Sequence, residues 1–79
     1  MRNQLLQPLE CVGAGEWAEV EEVTGEPAWV TRMAELGIRN GSRLQVVTQG
    51  TPCLLQVGCT RLSLRSESRT QILVRTLAG

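Results

Sequence analysis

Apolar and polar residues alternate along several short segments of this chain. The first such segment, 16–23, places Ala18 and Val20 on one side and Trp17 and Glu19 on the other. A period of two residues is typical of a strand that is buried on one face. We therefore predict a strand here, with Ala18 and Val20 facing the core and Trp17 facing outward.

Four later segments carry the same signal, and residues that favour turns separate them. They cover residues 43–49, 53–57, 61–65 and 71–75, while residues 66–70 are predicted to form a helical turn. The positions expected to face the core are Leu44, Val46, Leu55, Val57, Leu62, Leu64, Ile72 and Val74.

One segment repeats its apolar residues every three to four positions, which predicts a helix. Pro27 suits the first helical position, because a missing N–H costs nothing there. Gly37 is a natural left-handed stop, so the helix is expected to span about ten residues and end before it. Ile38 would then fold back onto the last turn, and Gly41 would lie in the turn that leads to the next strand.

These elements predict a mainly β fold of about five short antiparallel strands, with one helix after the first strand. Short strands must curl to bury one face and to hide their edges, which favours a small, strongly bent barrel with the helix across one side. Residues 1–8 are expected to be a flexible lead-in, and residues 9–79 a single domain. Leu9 and Val12, three residues apart, predict a short helical turn with both side chains inward.

Charge and composition narrow the range of functions. Eight Arg balance eight Glu, and the chain contains no Lys, Asp or His. A formal charge of zero and only two aromatic residues argue against nucleic-acid binding. Without His there is no imidazole to act as a general base, and without Lys there is no phosphate-binding loop of the usual kind. We therefore expect a protein that is not an enzyme and binds no cofactor.

The three cysteines do not predict a metal site. Cys53 and Cys59 fall at opposite ends of one predicted strand, about 20 Å apart, which is too far to share an ion. An odd number of cysteines favours a reducing compartment over a disulfide scaffold. With no signal-like or membrane-spanning run of apolar residues, the expected localisation is cytoplasmic.

In combination, the segments resemble the FeoA family (ferrous iron transport protein A). The resemblance covers about residues 9–75 and rests on "E-L-G-I-x-x-G", followed by a "P-C-L-L-Q-V-G" hairpin and "R-L-S-L-R". The matching positions are Leu9, Val12, Gly15, Ala18 and Val20; Arg32, Met33, Glu35, Leu36, Gly37, Ile38, Gly41, Leu44 and Val46; Pro52, Leu54, Gln56, Val57 and Gly58; and Arg61, Leu62, Leu64, Arg65, Ile72 and Val74.

The resemblance implies an SH3-like barrel and a small cytoplasmic accessory of the FeoB-type membrane transporter, which carries a GTPase domain. The same module also occurs as the C-terminal domain of metal-responsive repressors. A stand-alone relative of that domain, which regulates a transcription factor by contact, is therefore an alternative, and direct iron handling is a third. The motif positions expected to be structural are Gly15, Gly37, Gly41, Pro52 and Gly58.

A protein partner would need an exposed contact surface. Helix residues Trp29, Arg32, Met33 and Leu36 are the predicted edge of such a surface, with Trp17 as a further anchor. The alternative is that both tryptophans cover a thin core. A free strand edge would also permit the addition of another chain, including a weak homodimer.

Overall fold

The computed structural model describes residues 6–65 and 69–77. Within these residues the chain forms one antiparallel sheet of six strands and one α-helix. In chain order the elements are β1 (Gln7–Pro8), a 3₁₀ turn (Leu9–Cys11), β2 (Trp17–Thr24), α1 (Pro27–Glu35), β3 (Arg43–Thr48), β4 (Cys53–Val57), β5 (Thr60–Leu64) and β6 (Gln71–Thr76).

The order of strands in the sheet is β1-β6-β2-β3-β4-β5. The long strand β2 therefore pairs with β3 on one side and with the last strand, β6, on the other. β1 and β5 are the two ends of the sheet. This arrangement confirms the predicted mainly β, SH3-like fold with a helix after the first long strand.

One strand was missing from the sequence prediction. Gln7 and Pro8 were assigned to a flexible lead-in, but Gln7 lies opposite Val74 and Pro8 opposite Leu73 in β6. Two residues are too few to show a period of two, so no pattern could reveal them. The earlier part of the predicted lead-in, residues 1–5, lies outside the described residues, as do residues 66–68 of the predicted helical turn.

The core lies between the inward faces of the strands and the inner side of α1. The residues expected to face it do so, although Val57, Leu62 and Leu64 are only partly buried and pack against its edge. The buried apolar residues are Leu9, Val12, Ala18, Val20, Met33, Ile38, Leu44, Val46, Cys53, Leu55, Ile72 and Val74.

The helix begins and ends as its sequence predicts. Pro27 occupies the first turn, and Gly37 follows the C-terminal cap with a φ of +96°. The Gly37 N–H donates to the Ala34 carbonyl at 3.0 Å, and the Ile38 N–H donates to the Met33 carbonyl at 2.8 Å. This pair of bonds is a Schellman motif, and it turns the fully buried Ile38 back into the core beside Met33.

At nine residues α1 is too short to cross a lipid bilayer, and the described part of the chain contains no longer apolar helix.

Candidate protein-interaction surface

Two residues of α1 and the residue that caps its C-terminal end share one side of the helix and form what we call the helix ridge: Trp29, Arg32 and Leu36. Their spacings of three and four residues place them in line on the helix surface. Arg32 is exposed, and Leu36 is 41% exposed, which is high for a large apolar residue. Trp29 is half-buried and packs against the core, so it serves both the core and the ridge.

Met33 does not belong to the ridge, although the sequence grouped it there. Its side chain is only 3% exposed and lies in the hydrophobic core. Met33 follows Arg32 by one residue, which is about 100° around the helix, and this turns its side chain toward the sheet, where it packs with Ile38. A partner could not reach Met33 without opening the core, so the predicted contact role of this residue is corrected to a packing role.

Leu36 is exposed but firmly positioned. Its N–H donates to the carbonyls of Arg32 and Met33, each at 3.1 Å, and the next residue closes the Schellman motif. A Cβ added at Gly37 would lie 3.1 Å from Cγ1 of Val57, so the end of α1 rests directly on the end of β4. The backbone under Leu36 is therefore held by both hydrogen bonds and packing.

Trp17 lies on a different surface. It is 47% exposed on the outer face of β2, opposite Gln45 of β3. The register continues this row through Gln56 of β4 to Arg61 of β5. Trp17 is thus an exposed aromatic residue on the outside of the sheet, whereas the ridge lies along the helix. The sequence pattern does not show that these are two separate surfaces.

A pocket of about 30 Å³ lies beside Trp29 and the C-terminal end of β5. Its lining combines apolar side chains with polar groups of Glu10, Arg65, Thr70 and Gln71. The apolar lining comes from five different elements: Leu9, Trp29, Cys53, Leu64 and Ile72. Sequence analysis missed this pocket because it is formed by residues that are far apart along the chain.

A wider groove of about 320 Å³ runs between α1 and β2. Val30 and Ala34 line its helix side, and Glu21 and Glu22 line its strand side. The Asn40 side-chain amide donates to the Glu21 carbonyl at 2.6 Å. The Glu21 carboxylate is paired with Arg75, so much of the polar wall of this groove is already engaged within the protein.

The three cysteines are free thiols in unlike surroundings. Cys11 and Cys59 are exposed, whereas Cys53 is buried and lines the pocket. Burial raises the pKa of the Cys53 thiol above its ordinary value of 9.0, and the negative charge of Glu10 adds to the effect. Among residues 6–65 and 69–77, no three side chains of Cys, Asp, Glu or His converge on a point that could hold a metal ion.

The glycines of the motif lie in the turns between elements. Gly15, Gly41 and Gly58 all have positive φ angles, as Gly37 does. Pro52 follows a cis peptide bond in the loop before β4. These residues shape the scaffold that carries the ridge and the pocket.

Comparison with known proteins identifies the family. The model of the FeoA domain matches residues 7–76. The search of curated proteins found no match. Among solved structures, the solution structure of the FeoA protein from Chlorobium tepidum has a TM-score of 0.82 and 33% sequence identity, over 92% of this chain and 72% of that one.

A crystal structure of a protein described as iron uptake regulatory protein (FeoA) also has a TM-score of 0.82, at 23% identity, over 92% of this chain and all of that one. At that identity the likeness supports the fold alone. The family match extends over nearly the whole described domain and includes the ridge helix, the pocket and β5. The chain therefore belongs to the FeoA family, and this membership implies a role in ferrous iron transport.

Proposed function

We propose that this protein is a non-enzymatic, cytoplasmic accessory of ferrous iron transport. It binds the cytoplasmic part of a FeoB-type transporter and regulates transport or the nucleotide cycle by surface contact alone. Family membership supports the iron-transport setting of this proposal.

The observation that carries the proposal is the exposed Leu36 on a rigid helix end. A side chain that is already positioned loses little conformational freedom when a partner covers it, so more of the contact energy remains as affinity. Arg32, one turn earlier, adds a charged group of the kind that is enriched in energetic centres of interfaces. Trp29 extends the apolar part of the same ridge toward the pocket.

The test measures binding of the full chain to the purified cytoplasmic domain of the transporter by isothermal titration calorimetry. Replacing Leu36 with Ala should weaken binding about tenfold, since truncation of an interface anchor typically costs more than 1 kcal/mol. Arg32→Ala should also weaken it, whereas Arg43→Ala, on an exposed position of β3, is the matched control and should bind normally. Urea denaturation should show that Leu36→Ala keeps the stability of the unmodified protein.

Trp29→Ala is less informative, because Trp29 packs against the core and its loss should lower both stability and affinity. The proposal fails if the unmodified protein does not bind the transporter domain. It also fails in its surface assignment if Leu36→Ala and Arg32→Ala bind as well as Arg43→Ala. Binding to a metal-responsive repressor in place of the transporter would favour the alternative function.

A further inference from the structure

We infer that the free edge of β5 binds an extended segment of a partner protein in which apolar and acidic residues alternate. The inference rests on the proposed function for the identity of that partner, which would be the transporter. The binding site itself is argued from the position of β5 in the sheet, from the charges along it and from the pocket at its end.

β5 is an edge strand with an unused side. It pairs with β4 from Thr60 opposite Val57 to Leu64 opposite Cys53. In the described part of the chain no strand lies on its other side, because the order of the sheet ends at β5. About half of the N–H and C=O groups of an edge strand point away from its neighbour, and an added strand can bond to them.

The side chains of β5 define what kind of strand would fit. Leu62 and Leu64 face inward and pack against the edge of the core, while Arg61 and Ser63 are exposed on the outer face. The Arg61 Nε donates to Oε1 of Gln56 at 2.9 Å, which holds this guanidinium against the outer face of the sheet. Exposed Arg65 follows directly after the strand. An added strand would therefore place apolar residues on the inner face and gain from acidic residues on the outer one.

The pocket lies next to this edge and extends the inner face. Leu64 and Arg65 form one wall, and Leu9 and Ile72 belong to the elements across from it. A volume of about 30 Å³ holds roughly two water-sized groups, which suits a small aliphatic side chain and excludes a large ring. Glu10, on the far wall, has an interaction of its own within the protein.

A second copy of the chain fits this edge poorly. When two β5 strands pair antiparallel with their leucines on the same face, the pairing can be centred on Arg61, Leu62 or Ser63, so that this residue lies opposite its own copy. Pairing about Ser63 sets Arg61 opposite Arg65, and pairing about Arg61 sets two Arg61 side chains opposite each other. Pairing about Leu62 leaves the two Arg61 side chains on a diagonal. Like charges across a strand pair are destabilising, so an acidic partner strand is favoured over self-association.

The probe is a synthetic eight-residue peptide of alternating valine and glutamate with blocked ends, titrated into the isotope-labelled full chain and followed by NMR. We expect a dissociation constant below about 1 mM, and the amide signals of residues 60–64 should shift most. A peptide of alternating valine and lysine should not bind. The valine–glutamate peptide with N-methyl groups along one backbone edge should also lose binding, because it cannot complete the added ladder.

Two double variants separate specific recognition from general charge attraction. Arg61→Glu with Arg65→Glu should weaken peptide binding at least about tenfold, because two positive charges beside the added strand become negative and repel its glutamates. Arg39→Glu with Arg43→Glu changes the net charge by the same amount at exposed positions away from β5 and should change binding less than about twofold.

The inference is overturned if the peptide fails to bind at 1 mM, if the two double variants weaken binding equally, or if the amides of β5 are already fully protected from hydrogen exchange in the free protein. These results are independent of the proposed function. If the transporter domain binds but the peptide does not, only the strand-addition site is wrong. If the peptide binds but the transporter domain does not, the site remains and the proposed partner is wrong.

Discussion

At the scale of single residues, Gly37 carries two separate constraints. Its φ of +96° is costly for any residue with a Cβ, and an added Cβ would lie only 3.1 Å from Val57 Cγ1, which is closer than an ordinary van der Waals contact. Gly41 has a similar φ of +91°, but nothing lies within 4 Å of its added Cβ. The two glycines therefore allow backbone strain to be separated from crowding.

We expect Gly41→Ala to lower the free energy of unfolding by about 1–2 kcal/mol through strain alone. Gly37→Ala should cost about 1 kcal/mol more, because crowding against Val57 is added to the strain. Gly37→Val should be more harmful still. Urea denaturation of the three variants beside the unmodified protein provides the measurement. Equal losses at the two alanine variants would mean that the helix end can shift away from β4 without penalty.

The three thiols should differ in reactivity. At pH 8, Ellman's reagent should label Cys11 and Cys59 rapidly and Cys53 only as the protein unfolds, because Cys53 is buried and its pKa is raised. Cys53→Ala should lose only the slow phase of the reaction. Labelling of all three thiols at one rate would contradict the buried position of Cys53.

The raised pKa also has a consequence for stability. The folded protein keeps the Cys53 proton at pH values where the unfolded chain has released it, so the stability linked to this thiol is fully present below the ordinary pKa of 9.0. It should decrease as the pH rises from there through the raised pKa of the folded state. Denaturation curves between pH 7 and pH 10.5 should show this decrease in the unmodified protein and a smaller one in Cys53→Ala.

Met33 and Leu36 show why single-residue roles were only partly predictable. Both lie at helical spacings from neighbouring apolar residues, so the sequence placed them in one stripe beside Trp29. Their real difference, 3% against 41% exposure, depends on where the sheet lies relative to the helix. Periodicity fixes angles around a helix axis, but it does not fix which angle faces the core.

At the scale of elements, truncation of two adjacent residues of β4 should lower stability by very different amounts. Leu55 is fully buried and Leu54 is half-buried on the outer face. Leu55→Ala should lower the free energy of unfolding by about 2–5 kcal/mol, since it leaves a cavity in the core. Leu54→Ala should lower it by no more than about 1 kcal/mol, because a half-buried leucine gains about half the burial free energy of a fully buried one. Similar losses at the two positions would contradict the assigned faces of the strand.

The strands and the helix were predictable because their patterns are local, whereas their order in the sheet was not. Alternation in β2, β3, β4, β5 and β6 is visible within each segment, and Pro27 and Gly37 mark the helix by their own conformational limits. Nothing within a segment states that β2 pairs with β6, or that β5 is left at an edge. The pocket was hidden for the same reason, because its walls meet only after the strands and the helix have packed together.

At the scale of the whole molecule, one shared core predicts one cooperative unfolding transition. Every long strand and α1 contribute to the same cluster of buried side chains. We expect far-UV circular dichroism and the fluorescence of half-buried Trp29 to give the same urea midpoint. Trp17→Phe, which removes the exposed indole, serves as the control and should leave the fluorescence midpoint unchanged. Two separate midpoints would show that the helix or an edge strand melts independently.

The pairing of β2 with β6 limits when this protein can fold during synthesis. β2 leaves the ribosome well before β6, the strand that completes one of its sides, and β1 pairs with β6 too. Until β6 emerges, one edge of β2 has no partner and the apolar side chains of Ile72 and Val74 are missing from the core. The nascent chain therefore cannot complete its fold until β6 has been synthesised. Premature termination before β6 should yield products that chaperones retain and proteases remove.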